Sequence, residues 1–211
     1  MNNAIALPAS SSARVVDDRA TLRASVGFAA VILIGFGFLY SLAGTGIGRV
    51  LFPHQATGSL LVVDGTPRGS SLVAQPFADA RYFQPRPSAG NFDPMAAAGS
   101  NLARTNPDLR TRMAQLRQQV AHRDGIAPAQ VPAELVTMSG SGMDPHLSPA
   151  GAQVQVARVA KARGLSQSEV GALVVAHTQP ATFGALGEAR INVLELNLAL
   201  DDSAGTAPDH N

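Results

Sequence analysis

The densest group of potentially reactive side chains is the run Ser139-Gly140-Ser141-Gly142-Met143-Asp144-Pro145-His146. A hydroxyl, a carboxylate and an imidazole so close together are the parts of a nucleophile relay, and Asp144 with His146 also offers two ligands to a metal. Neither use has its full pattern. A nucleophile elbow needs Gly two residues to either side of the Ser, and Ser139 and Met143 stand there instead. One carboxylate and one imidazole flanking a Pro are a fragment of a metal site. The competing reading is that Asp144 and His146 tie down a Gly/Ser turn through hydrogen bonds to its backbone. An anchored hydrolase using Ser141, Asp144 and His146 is the one catalytic reading the residues offer.

Other chemistry is excluded by composition. The chain has no cysteine, which removes disulfides, thiolate metal sites and thiol nucleophiles. No G-x-x-x-x-G-K-[ST] loop occurs, and Lys161, the one Lys, falls mid-helix. The formal net charge is +1, and beyond Arg49 stand 12 basic and 13 acidic residues. With no basic stripe, nucleic acid is not an expected partner. His54, His122, His177 and His210 have no visible partners in the sequence. Residue chemistry alone therefore points to no catalytic centre and no metal.

The element that must position everything else is Ala24 to Gly48, a run without a charge between Arg23 and Arg49. Its 25 residues make a helix roughly 37 Å long, enough for a hydrocarbon core of about 30 Å. Arg14, Arg19 and Arg23 precede the run, whereas after Arg49 no Lys or Arg occurs until Arg68. That bias puts the N-terminus in the cytoplasm and the large C-terminal part outside. Tyr40 and Phe52 suit the outer headgroup level. A cleaved signal peptide, with Ser41-Leu42-Ala43 before Gly44, is the rival; the long n-region with Asp17 and Asp18 and the long apolar run favour an uncleaved anchor. Gly37, Ser41 and Thr45 recur every four residues, and Gly44 and Gly48 form GxxxG, a face that lets another helix approach closely.

The expected fold class is α+β: a single N-terminal transmembrane helix followed by one extracytoplasmic domain of short strands and about three helices. The expected divisions are a disordered cytoplasmic head (1–21), the span (22–50), the domain (51–201) and a polar tail (202–211). Gly58 to Val63 and Ser71 to Ala74 read as a hairpin about Asp64-Gly65. Gln75 to Ser88 holds Pro76, Pro85 and Pro87 and reads as a long loop. Either Tyr82 and Phe83 tuck into the core from a surface loop, or Tyr82, Phe83 and Arg86 form a docking surface. Asn106 and Pro107 open a helix ended by Gly125, with Arg110, Arg112, Arg117 and Arg123 on its solvated side. Glu134 to Met138 reads as a short strand. Ser148-Pro149 opens a helix to Arg163, and Ser166 with Glu169 caps another. Ile191 to Leu200 alternates Leu with polar residues and reads as a strand.

From Tyr82 onward, long motifs resemble a known family. They are Tyr82-Phe83-Gln84-Pro85-Arg86-Pro87-Ser88, Gly99-Ser100-Asn101-Leu102, Asn106-Pro107, Pro132 to His146, Arg158-Val159-Ala160-Lys161-Ala162-Arg163-Gly164-Leu165 and Asn192 to Asp201. Together they resemble the C subunit of the bacterial Kdp potassium-transporting P-type ATPase, over roughly residues 22 to 201. Gln84 departs from the Trp or His common in that family, and the head before Arg19 is unmatched. The resemblance implies a bacterial inner-membrane complex. Its partners would be a channel-like potassium-conducting subunit, a P-type subunit that hydrolyses ATP, and a small single-span subunit. The C subunit would be non-catalytic, required for assembly and activity, and in the family's proposed role a catalytic chaperone raising the ATP affinity of the hydrolysing subunit. The outward orientation implies something else: a cover over the channel-like subunit's potassium entrance with no nucleotide contact. The Gly37–Ser41–Thr45 face would then pack on that subunit. Tyr82, Phe83, Arg86 and the loop of Ser139, Gly140, Ser141, Gly142, Asp144 and His146 would make the outer contacts.

Overall fold

The computed structural model describes residues 18–205, so the expected disordered head, apart from its last residues, and the end of the polar tail lie outside the described residues. The chain divides into two units at Ala56/Thr57. The first is helical: α1 (Asp18–Val31), a π-helical stretch (Ile32–Leu39), α2 (Tyr40–Leu51) and a short α3 (Pro53–Ala56). The Tyr40 N–H donates to the Gly35 carbonyl, the five-residue spacing of a widened turn. Arg19–Leu51 is 33 residues long with mean hydropathy 2.2, and 0% of its apolar window is buried by the chain itself. An apolar helix bare all round fits a lipid environment.

The second unit opens with the expected hairpin. β1 (Leu60–Val63) pairs antiparallel with β2 (Thr66–Ser70), Val63 opposite Thr66. Asp64 (φ 50°) and Gly65 (φ 72°) form the two-residue turn that suits strand twist. The second strand starts five residues before the expected Ser71, because so tight a turn pairs Thr66 at once. Pro67 is accommodated at this edge, beside an irregularity at Leu61/Val62.

Five helices and a three-stranded sheet follow rather than about three helices. They are α4 (Pro107–Asp124), α5 (Pro149–Gln153), α6 (Val156–Arg163), α7 (Gln167–Ala176) and α8 (Val193–Gly205). β3 (His146–Leu147), β4 (Thr178–Gln179) and β5 (Arg190–Asn192) make an antiparallel sheet with β5 central. Phe83, Leu135, Val136, Leu147, Val156, Val159, Val170, Ile191, Leu196 and Leu200 fill one core.

The caps behave as their residue types dictate. The Asn106 side chain accepts from the Asp108 N–H, and Gly125 closes α4 in the left-handed conformation. Ser166 and Glu169 form the expected capping box on α7.

Three elements differ from expectation. The Ile191–Leu200 strand stops at Asn192, whose Oδ1 accepts from the N–H groups of Leu194 and Glu195 and so starts α8. The alternating leucines conceal a second pattern: Val193, Leu196, Asn197 and Leu200, all buried, recur at helical spacing. The strand expected at Glu134–Met138 is a 3₁₀ turn (Ala133–Leu135). Here Glu134 turns back to accept from the Ser148 N–H and hydroxyl. The single helix expected from Pro149 to Arg163 breaks at Gln155 into α5 and α6.

Candidate functional site

The proline-bearing loop is the centre of the second unit. Its backbone from Ala80 to Gln84 has no strand to pair with, so its polar groups need side-chain partners. Asn197 in α8 supplies two: its Oδ1 accepts from the Phe83 N–H (2.8 Å) and its Nδ2 donates to the Phe83 carbonyl (2.9 Å). Gln155 does the same for the next residue, accepting from the Gln84 N–H (2.9 Å) and donating to the Gln84 carbonyl (3.0 Å). Each amide imitates a neighbouring strand. Gln155 is wholly buried at the α5/α6 junction, which places its side chain against the Ala80–Gln84 segment, the strap that these side chains hold.

Two arginines complete the clamp. Arg158 donates to the carbonyls of Ala80 and Tyr82, and Arg163 to those of Arg81 and Leu200. Arg158 also pairs with Asp124 at 2.7 Å, and the Asp124 carboxylate is fully enclosed. Burial lowers the Arg158 pKa while the Asp124 carboxylate opposes that shift. Arg123 adds a second ion pair to Asp124, so it faces inward and does not belong to the solvated side of α4. Arg163 lies over the Tyr82 ring at 4.9 Å, and the Tyr82 hydroxyl donates to Asp201.

The residues singled out in the sequence fall into separate groups. Tyr82 stays half-buried, held by Arg163 and Asp201. Phe83 is 0% exposed in the core and offers no ring to a partner. Arg86 meets Asp144 at 2.9 Å, and His146 Nδ1 lies 3.5 Å from the same carboxylate. The Asp144 carboxyl is held below its ordinary value, first by the His146 side chain, against burial, then by the His146 N–H and Arg86. Ser139 is buried, and its Oγ accepts from the N–H groups of Gly142 and Asp144. Ser141 Oγ lies 3.2 Å from Ser139 Oγ and accepts from the Met143 N–H. These groups are spent on turn-building, as the hydrogen-bonded reading of Asp144 and His146 expects. Among the described residues no three His, Cys, Asp or Glu are grouped to hold a metal.

The glycines explain why distant motifs lie together. Gly142 has φ 75°, and a Cβ there would stand 2.8 Å from the Ala98 carbonyl oxygen. A Cβ on Gly99 would stand 2.8 Å from the Gly140 carbonyl oxygen. The 98–99 and 140–142 backbones touch because neither glycine has a side chain. Beside them runs a groove of about 450 Å³ lined by Phe77, Pro85, Arg86, Phe92, Leu116 and Arg123, among others. In the first unit, a Cβ added at Gly37 would meet only the Ile32 carbonyl oxygen of its own helix, at 4.0 Å, while Ser41 and Thr45 are exposed.

The clamp residues Gln155, Asn197, Arg158, Arg163 and Asp124 escaped the sequence reading as functional groups. Nothing in their spacing marks a polar residue that pairs with backbone dozens of positions away, although three of them stand inside the quoted motifs.

A family described as K+-transporting ATPase, c chain (KdpC) matches residues 22–202. A potassium-transporting ATPase KdpC subunit of Xanthomonas campestris is 61% identical over 191 residues, 90% of this chain and 91% of that one. The corresponding subunit of Xanthomonas oryzae is 62% identical over 192 residues, 91% of each chain. That of Shewanella putrefaciens is 46% identical over 183 residues, 87% of this chain and 90% of that one.

Proposed function

The chain belongs to the KdpC family, and from that premise we propose that it is a non-catalytic accessory subunit of a potassium-transporting ATPase, anchored by one span in the bacterial inner membrane with its C-terminal domain outside. There the domain covers the potassium entrance of the channel-like subunit. The P-type subunit that hydrolyses ATP and a small single-span subunit complete the assembly.

The observation that carries this reading is the Arg19–Leu51 helix, unburied by its own chain and continuous with a domain that has its own core. A helix left bare of protein contacts is available to lipid and to neighbouring helices. The orientation rests on Arg14, Arg19 and Arg23 before the run against Arg49 after it. A domain outside meets no cytoplasmic ATP, which sets this reading against the nucleotide-chaperone role. The Ser139–His146 loop is consistent with that, since its polar groups are engaged with one another and with Arg86.

The test compares the purified complex with and without this chain. Potassium-stimulated ATP hydrolysis is lost without the chain and returns on adding it back, and the chain alone shows no saturable ATP binding. Full hydrolysis in its absence contradicts the accessory role. Saturable ATP binding by the chain overturns the entrance-covering reading in favour of the chaperone.

A further inference from the structure

The β1–β2 hairpin has an apolar first strand, yet it takes no part in the core. Among the described residues, no core side chain and none of those packed against the core lies between Thr57 and Ala74, and Leu60, Val62 and Leu72 are exposed. The segment is closed on itself instead. The Ser71 N–H donates to the Ser59 carbonyl at 3.0 Å, and the Ser70 hydroxyl donates to the Gly58 carbonyl at 2.8 Å. Local ties dock it on the rest of the second unit. The buried Asn192 side-chain amide donates to the Ser71 carbonyl at 2.7 Å. The Ala74 N–H donates to the Met143 carbonyl at 3.0 Å. Leu194, buried but outside the core cluster, lies against Gly69, where a Cβ would stand 2.9 Å from the leucine Cδ2. A two-stranded hairpin is marginally stable by itself. A segment with few buried apolar contacts opens at a lower free energy than the core beside it.

We propose that residues 57–74 are a latched, extensible tether: the hairpin undocks and opens while the core stays folded, and the Asn192 amide is the latch. These residues lie between the Arg19–Leu51 helix and Phe77, the first side chain packed on the core. Closed, they keep Ser59 hydrogen-bonded to Ser71. Opened, the 12 positions from Ser59 to Ser71 reach up to roughly 40 Å. The two ends of the Asn192 amide do different work. Its Oδ1 accepts from the N–H groups of Leu194 and Glu195 and starts α8, while its Nδ2 holds Ser71. Asn192→Asp cuts the second and keeps the first. A carboxylate oxygen caps a helix as well as an amide oxygen does. It brings no N–H, so an acceptor then faces the Ser71 carbonyl.

Hydrogen–deuterium exchange of the full chain in detergent reads the tether directly. In the parent, the amides of residues 60–74 exchange through an opening that low denaturant barely accelerates, whereas those of α6 and α8 follow global unfolding and speed up with denaturant. Equal protection and equal denaturant dependence in the two regions overturn the proposal without any variant. Asn192→Asp then tests the latch. Exchange across residues 60–74 rises roughly tenfold, the effect of losing one hydrogen bond, while α6 and α8 keep the parent rates. Asn192→Ala, which removes the cap as well, accelerates the start of α8 too. Unchanged exchange at residues 60–74 in Asn192→Asp contradicts the latch. Acceleration spread evenly from α4 to α8 contradicts it as well, because Asn192 would then hold the core and not the tether.

Discussion

Replacing Asn197 with Ala removes both partners of the Phe83 backbone at once. Asn197 is 1% exposed and Phe83 is 0% exposed, so no bulk water reaches the released N–H and carbonyl. Each unpaired buried group costs about 1–3 kcal/mol, giving a loss of about 2–6 kcal/mol. Against a total of about 5–15 kcal/mol for a typical domain, that is a large fraction. At about 2–4 °C per kcal/mol for a domain of this size, the midpoint falls by about 4–24 °C. The assay is thermal unfolding of the full chain in detergent, followed by circular dichroism. Ser166→Ala serves as the yardstick: it removes the exposed cap of α7 and costs about 1 kcal/mol. The reasoning is refuted if Asn197→Ala loses no more than Ser166→Ala, because the strap would then be held by packing and not by its clamp.

Three further outcomes follow from the geometry. Gly151→Ala places a methyl group against the Glu134 carboxylate, which is fixed by Ser148, and destabilises the chain by about 1–3 kcal/mol in denaturant melts. Asp144→Asn acts on acid stability. The folded Asp144 pKa lies below its ordinary 3.8, so its contribution is present above that value and is lost as pH falls through the lowered one. The variant is therefore less stable than the parent at neutral pH, and the difference shrinks as pH falls below about 4. Gly37→Leu leaves the isolated chain's melting unchanged, since a side chain there meets only its own helix. It lowers recovery of the chain in affinity purification through a partner subunit, whereas equal recovery would remove Gly37 from the packing face.

The parts of the fold legible in the sequence are those specified locally. A charge-free run, a Pro after Asn, a Gly at a helix end, and Ser three residues before Glu each act within a turn or two, so the span and most caps could be read directly. Leu194 to Leu200 misled because leucines two apart satisfy a strand pattern while Val193, Leu196, Asn197 and Leu200 satisfy a helix. What separated the two was Asn192 acting as a cap, a signal one residue long. The site was harder to read. Phe83 and Arg86 were visible as unusual loop residues, but only the fold shows that Phe83 faces the core and Arg86 faces Asp144. The clamp was not legible, because Gln155 and Asn197 act on backbone 71 and 114 positions away, and a sequence pattern records side chains and not the carbonyls they satisfy.

The proposed entrance-covering role requires the C-terminal domain to lie outside the membrane. The parent has no cysteine, so a single thiol can be placed at Met95, which is 93% exposed, with Ser11→Cys in the head as the mirror position. Intact cells carrying either variant are treated with a membrane-impermeant thiol reagent. With the domain outside, Met95→Cys labels in intact cells and Ser11→Cys labels only after lysis. The reverse pattern would place the domain in the cytoplasm, contradict the entrance-covering role and return the nucleotide-chaperone role to first place.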